Sequence, residues 1–208
     1  MILSLCPSPS LFSQSGADDF KKVPIEINGV PFNQFLSMEQ DNEGFLWLST
    51  GEELLKYDGY EAKVYQNNPS DSTSLGDNGV KILYKDTFGH IWAGTRLGVS
   101  RYKNDCDCFD NYRLPFFNTM EGVESSEKKT VYTITEDKNN HIWAATFGGG
   151  LFKYEQKQDN FIPFLNNPKD TNTIVNQFIQ TMMVDRHNNL WIGTGAIRQT
   201  GGDGLIRL

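Results

Sequence analysis

The side chains with chemistry to offer are few and regularly placed. Aspartates stand at Asp41, Asp86, Asp137 and Asp185, each six positions before a tryptophan, at Trp47, Trp92, Trp143 and Trp191. Each tryptophan is followed three positions later by a threonine, at Thr50, Thr95, Thr146 and Thr194. His90 and His141 share the position two before their tryptophans, and His187 lies within a turn. Asp137-Lys138-Asn139-Asn140 offers oxygen ligands of the kind calcium takes. A calcium loop, however, needs several ligands at alternate positions and a closing bidentate carboxylate, which no copy supplies, so the aspartates read as turn initiators. Histidines at one offset in successive repeats fall on separate units, too far apart to ligate one metal, and no zinc site is read. Cys106-Asp107-Cys108 either closes a local disulfide in an oxidising compartment or stays reduced. There is no G-x-S-x-G elbow, P-loop or H-E-x-x-H, and Gly148-Gly149-Gly150 lacks the following helix that a phosphate loop uses. No catalytic residue, metal or cofactor is expected.

The regular spacing belongs to a repeat. Phe35 to Asp58, Val80 to Lys103, Val131 to Tyr154 and Ile179 to Leu208 are four versions of one segment, with their tryptophans 45, 51 and 48 positions apart. A period in the forties made of short alternating segments signals a radial or linear repeat fold. Within one copy, Val80, Ile82 and Tyr84 alternate with polar neighbours as a half-buried strand does. Asp86 to Gly89 forms a hairpin turn, in which Gly44, Gly89, Asn140 or Asn188 supplies the residue that tolerates positive φ. Ile91 to Thr95 is a strand too apolar to face water, Val99 to Tyr102 is a third, and a weaker fourth lies around Phe109 to Tyr112. The expected fold is all-β, a series of four-stranded antiparallel meanders of the β-propeller type. A tryptophan at one place in every repeat is a core residue wedged between neighbouring blades, and the threonine bonds within its turn or ladder.

The phrase D-x-x-[GN]-x-φ-W-φ-[GSA]-T (φ apolar), followed by G-[LV]-x-[RK]-Y, resembles the two-component regulator propeller repeat of periplasmic sensor regions in bacterial hybrid two-component systems. The linkers Asn67 to Gly79 and Asn166 to Gln177 are similar to those between such blades. Glu52 and Glu53 depart from the pattern, as does the insertion Ala196 to Asp203. The resemblance implies seven blades, which at about 48 residues each need roughly 340. This chain therefore reads as four blades of a larger ring, with a self-closed four-blade ring as the alternative. The expected divisions are 1–15 as the remnant of a signal peptide, 16–32 as an N-terminal strand or linker, and blades at about 33–76, 77–127, 128–175 and 176–208. The N-terminal strand of a propeller can complete the last blade.

Composition narrows the function. With 38% hydrophobic and 12% aromatic residues in 208, the chain can bury a substantial core. A formal charge of -7 argues against nucleic acid, and no stretch is long enough for a membrane span. Residues 1 to 15 read as an export signal with a small-x-small site at Ser13-Gln14-Ser15 but no preceding basic residue. Cys6 as a lipoprotein acceptor and a disordered terminus are the alternatives. The resemblance implies a periplasmic, non-catalytic sensor whose ligands are glycan fragments, with a kinase portion of the parent downstream and a homodimer as the signalling unit. Loops joining strands two and three share one rim with the linkers, placing Arg96, Phe147 and Arg198 there. Asn33, Asn78, Lys129 and Gln177, each fourteen before a tryptophan, enter the inner strands at the channel mouth. Arg96, Phe147, Arg198, Asn78, Lys129 and Gln177 are the candidate ligand-binding residues. A protein-interaction platform and a propeller lyase are the other readings. The lyase would need a histidine and acid pair on one rim, which three scattered histidines do not obviously provide.

Overall fold

The computed structural model describes residues 21–27, 30–32, 34–114, 130–164, 178–195 and 204–208. Residues 1–15, read as a signal, with Cys6 among them, the linker at 166–177 and the insertion at 196–203 lie outside them. Alternation and turn chemistry produce the expected meanders. Blade 1 comprises β3 (Ser37–Gln40), β4 (Leu46–Ser49), β5 (Leu54–Tyr57) and β6 (Ala62–Tyr65). Blade 2 comprises β7 (Ile82–Lys85), β8 (Ile91–Gly94), β9 (Gly98–Lys103) and β10 (Cys108–Arg113). Blade 3 comprises β11 (Val131–Glu136), β12 (Ile142–Thr146), β13 (Gly150–Glu155) and β14 (Asn160–Phe164). Each is a four-stranded antiparallel sheet in sequential order. Blade 4 shows three strands among the described residues, β15 (Ile179–Val184), β16 (Leu190–Thr194) and β17 (Leu205–Arg207). Among the described residues the N-terminal segment makes no pairing with blade 4. Its strands β1 (Glu26–Ile27) and β2 (Val30–Pro31) pair with each other, and Ile25 and Phe32 pack on Leu48, Leu55 and Tyr57 of blade 1.

The blades stack face to face, each of the first three tryptophans entering the next sheet. Trp47, Leu54 and Tyr65 pack against Leu83, Ile91, Ala93, Tyr102 and Phe109. One blade on, Trp92, Val99 and Tyr112 meet Ile134, Ile142, Phe152, Tyr154 and Phe161. At the third joint, Trp143, Ala145 and Leu151 meet Ile179, Met182, Leu190 and Ile192. The first three indoles are accordingly buried, whereas Trp191 is half-exposed. The ring contacts are mostly edge-on or tilted, as the aromatic quadrupole favours, with Trp92 and Tyr154 centred 5.1 Å apart at 67°. First strands of successive blades lie side by side, and the Ser37 hydroxyl accepts from the Leu83 amide at 3.0 Å.

The hairpins follow the expected chemistry. Gly44, Gly89, Asn140 and Asn188 all have positive φ, and each amide donates to the carbonyl of the aspartate three before it. This is a type I turn closed by a left-handed residue, the three-residue hairpin loop. The threonines close the opposite ends. Thr95 Oγ1 donates to the Gly98 carbonyl and accepts from the Leu97 amide, and Thr50 and Thr146 accept from the amides of Glu53 and Gly149. In blade 4 the Thr194 amide reaches the Gly204 carbonyl at 2.8 Å, as the Thr95 amide reaches that of Gly98. The insertion therefore begins and ends where a short turn would.

Candidate ligand-binding rims

An antiparallel meander sends alternate connections to opposite ends. The aspartate hairpins and the turns between third and fourth strands form one rim, where the Asn104 amide donates to Glu43 of blade 1 and the Lys138 amide to Asn188 of blade 4. The threonine turns and linkers form the other, where the Val131 amide donates to the Thr95 carbonyl.

On the linker rim, Arg96 donates from Nε to Asp77 at 3.1 Å and lies directly over Gly79, where any Cβ would strike its guanidinium. Asn78 accepts the Asn67 amide through its side-chain oxygen. Both flank the 67–79 linker. Beneath it, a polar cavity of about 590 Å³ is lined by Asn68, Asp71, Asp77, Leu97, Asn111 and Arg113 among others. Phe147 belongs to a separate cluster with Tyr132 and Phe178, centred 5.5 and 5.1 Å away. Asn33, Lys129, Gln177 and Arg198 lie outside the described residues.

The hairpin rim carries what the sequence did not disclose. The recurring aspartate does more than open its turn, because Oδ2 accepts the indole N–H six residues on, at 2.8, 2.8, 3.1 and 3.0 Å in blades 1 to 4. Oδ1 accepts the amide four residues on in every copy. Burial alone would raise the Asp137 carboxyl, but the Trp143 indole and the His141 amide and ring hold it below the usual carboxylate range. Asp185 is also held low, chiefly by the Asn189 amide group and the Trp191 indole.

The residue two before the tryptophan completes this network. His90 and His141 place Nδ1 2.9 Å from Oδ2 of Asp86 and Asp137, and Asn189 donates its amide to Asp185 in the same way. Opposite each tryptophan on the neighbouring strand stands a cation, in the pairs Trp47 and Lys56, Trp92 and Arg101, Trp143 and Lys153, and Trp191 and Arg207. Each lies over its indole at 5.4 to 5.9 Å, a cation–π contact.

A second aspartate clasps adjacent blades. Asp107, with φ 53°, accepts from Tyr102 of its own blade and from Tyr65 and Lys63 of blade 1. Asp159, with φ 46°, accepts from Tyr154 of its own blade and Tyr112 of blade 2. Cys106 and Cys108, joined to each other, flank Asp107. Burial alone would raise the Asp107 carboxyl, but Lys63, Tyr65 and Tyr102 outweigh it and hold the pKa at about 2. A carboxylate with a lowered folded pKa stabilises above its unfolded value near 3.9, and that contribution is lost as pH falls towards about 2. Asp107→Asn is therefore expected to melt a few degrees below the parent at pH 6, with the gap closing between pH 4 and pH 2 in thermal scans. A gap constant with pH would contradict the clasp.

These hairpins border two adjoining clefts that share His90, Arg101 and Gln156. One, of about 510 Å³ between blades 1 and 2, includes Glu43, Lys103 and Asn104. The other, of about 300 Å³ between blades 2 and 3, includes Phe88, Asn139, His141, Glu155 and Lys157. The sequence placed the histidines on separate blades as scattered residues. They do sit on separate blades, but neighbouring hairpins bring both, each backed by an aspartate, to one cleft. Among the described residues no three His, Cys, Asp or Glu side chains are grouped to hold a metal ion.

Comparison with known proteins agrees with this architecture. The family described as two component regulator propeller matches residues 29–52, 126–148 and 173–196. The chain is 41% identical over 66 residues to Histidine kinase P4 of Formosa agariphila, a match covering 32% of this chain and 5% of that protein. It is similar, at 25% identity and a TM-score of 0.63, to the extracellular domain of the putative hybrid two component system BT3049 of B. thetaiotaomicron, over 79% of this chain and 22% of that one. It also resembles virginiamycin B lyase of Staphylococcus aureus, at 15% identity and a TM-score of 0.54 over 76% of this chain and 48% of the lyase, a likeness of fold alone. The three matched segments carry the first, third and fourth copies of the repeat, so those copies match the two component regulator propeller model, and the blades they build are similar in fold to that extracellular domain. The chain spans about a twentieth of the curated relative and about a fifth of the solved one.

Proposed function

We propose that this chain is the ligand-sensing part of an exported regulatory sensor, that it binds a glycan fragment without transforming it, and that its parent relays occupancy to a kinase through rearrangement of a dimer. The observation that carries the reading is the four-fold register of one regulator-type blade, with relatives that include a histidine kinase and an extracellular sensor domain. The joined Cys106 and Cys108 fit an oxidising compartment. Scaffold is what repeats, so recognition belongs to the divergent connections on a rigid frame. The linker rim with Arg96, Asn78 and Phe147 is one available surface, and the clefted hairpin rim is the other; Lys129, Gln177 and Arg198 are candidates by sequence and lie outside the described residues.

A thermal-shift screen of the chain against neutral and acidic oligosaccharides is expected to give a rise of several degrees for one structural class, as binding to the native state alone requires. A flat response across the screen would count against sensing.

A further inference from the structure

We infer that the cleft between blades 2 and 3 on the hairpin rim is a saccharide-binding site, recognising ligand hydroxyls through the Nε2 atoms of His90 and His141 and a ring face through Phe88. This rests on the sensing reading above and assigns it to a place. The carboxylates of Asp86 and Asp137 can only accept hydrogen bonds, and each already accepts an indole N–H on the oxygen that meets the imidazole. Nδ1 of each histidine must therefore carry the proton at this contact. In the neutral ring, Nε2 is then a bare acceptor. Both rings are roughly half-exposed, with side chains 50% and 40% accessible, and both line the one cleft.

Two imidazoles held by their Nδ1 contacts thus line the same small volume, a pre-organised arrangement for polar recognition. No third ligand of the kind a metal cage requires is grouped with them among the described residues. The lone pairs are therefore matched to the hydroxyl donors of a ligand. Phe88, 63% exposed and centred 6.2 Å from the His90 ring, adds a bare aromatic face, and Asn139, Gln156 and Lys157 supply further polar groups around the wall. An apolar platform ringed by a few fixed polar groups is the chemistry of a sugar site.

Blade 4 supplies the control. Asn189 replaces the histidine and keeps the bond to its aspartate, so His90→Asn with His141→Asn preserves the hairpin network while removing both Nε2 atoms. Binding is measured by isothermal titration of the whole chain with cellobiose, maltose, lactose, xylobiose and chitobiose. For whichever disaccharide binds, the double variant and, separately, Phe88→Ala are expected to weaken affinity at least tenfold. Tyr60→Ala, at a turn of blade 1 where the residue is 92% exposed, should leave it unchanged, and the melting temperature of the double variant should stay within about 3 °C of the parent. Should the double variant not fold, the imidazole resonances of His90 and His141 in the unmodified chain must shift on titration with that disaccharide. Binding lost in Arg96→Ala but intact in the histidine and Phe88 variants would overturn the cleft and leave sensing standing on the linker rim. Absence of binding by all five sugars would overturn the cleft as a saccharide site, and the sensing reading would then stand or fall on the oligosaccharide screen alone.

Discussion

Replacing Trp92 with alanine is expected to cost about 3–5 kcal/mol, the range for emptying a fully buried aromatic site, whereas Trp191→Ala should cost under about 1 kcal/mol. The two residues occupy the same position in the same motif, with the same aspartate acceptor and the same cation on the neighbouring strand. They differ in what covers them. Trp92 is 1% exposed, enclosed by Tyr112 of its own blade and by Tyr154 and Phe161 of the next. Trp191 is covered by no following blade among the described residues. A repeat array is held by its nearest-neighbour interfaces, so the loss at Trp92 should divide the stack at its middle joint. Urea titration gives the magnitudes. Hydrogen exchange should show β7 to β14 losing protection together in the Trp92 variant, with the pairing of β3 to β6 largely retained. Equal costs at the two positions would mean that the indoles stabilise their own hairpins rather than the joints.

The fold was legible because its signals are local. The strand through Ile82 and Tyr84, the apolar strand from Ile91 to Thr95 and the left-handed residue three before each tryptophan are encoded within a dozen positions; the strands and the positive φ are found, though in β7 it is Leu83 rather than Ile82 or Tyr84 that is buried. The six-residue offset between aspartate and tryptophan was equally visible, but its meaning was not. Turn initiation already accounts for an aspartate there, and the indole bond depends on the hairpin folding the two side chains onto one face. The clasps at Asp107 and Asp159 left less trace. Their partners Tyr65 and Tyr112 lie 42 and 47 residues away, and the turns that hold them sit at slightly different distances from their tryptophans. The cleft shared by His90 and His141 was hidden for a similar reason. One period of sequence separates them, and only the approach of adjacent hairpins, set by the packing of Trp92 into blade 3, brings them to the same wall. Of the residues nominated for ligand binding, Arg96 donates to Asp77 and Asn78 accepts from Asn67, so both also brace the 67–79 linker. Exposure and polarity in sequence do not distinguish a side chain awaiting a ligand from one that braces a loop.

Asp86→Asn is expected to destabilise the chain almost as much as Asp86→Ala, each by about 2–4 kcal/mol, the cost of removing charge-assisted bonds and leaving a buried donor unpaired. The Asp86 side chain is 3% exposed. It accepts the His90 amide at 2.8 Å, the His90 ring at 2.9 Å and the Trp92 indole at 2.8 Å. Every group facing it donates. An asparagine must turn its NH₂ either towards the His90 amide or towards the indole and imidazole, so at least one pair of donors is opposed in either orientation. The imidazole can relieve its share by moving its proton to Nε2; the indole has no other form. If the aspartate served only to open a turn, asparagine would be an equally good residue there and Asp86→Asn would be close to neutral. Chemical denaturation of the two variants therefore separates the roles. The indole N–H resonance of Trp92 provides a second readout, since it should move in both variants under the hydrogen-bond reading and in neither under the turn reading. The same substitution frees the His90 ring from the contact that fixes its tautomer. Asp86→Asn should consequently also weaken any disaccharide that binds the cleft, through an acceptor one residue removed from the ligand.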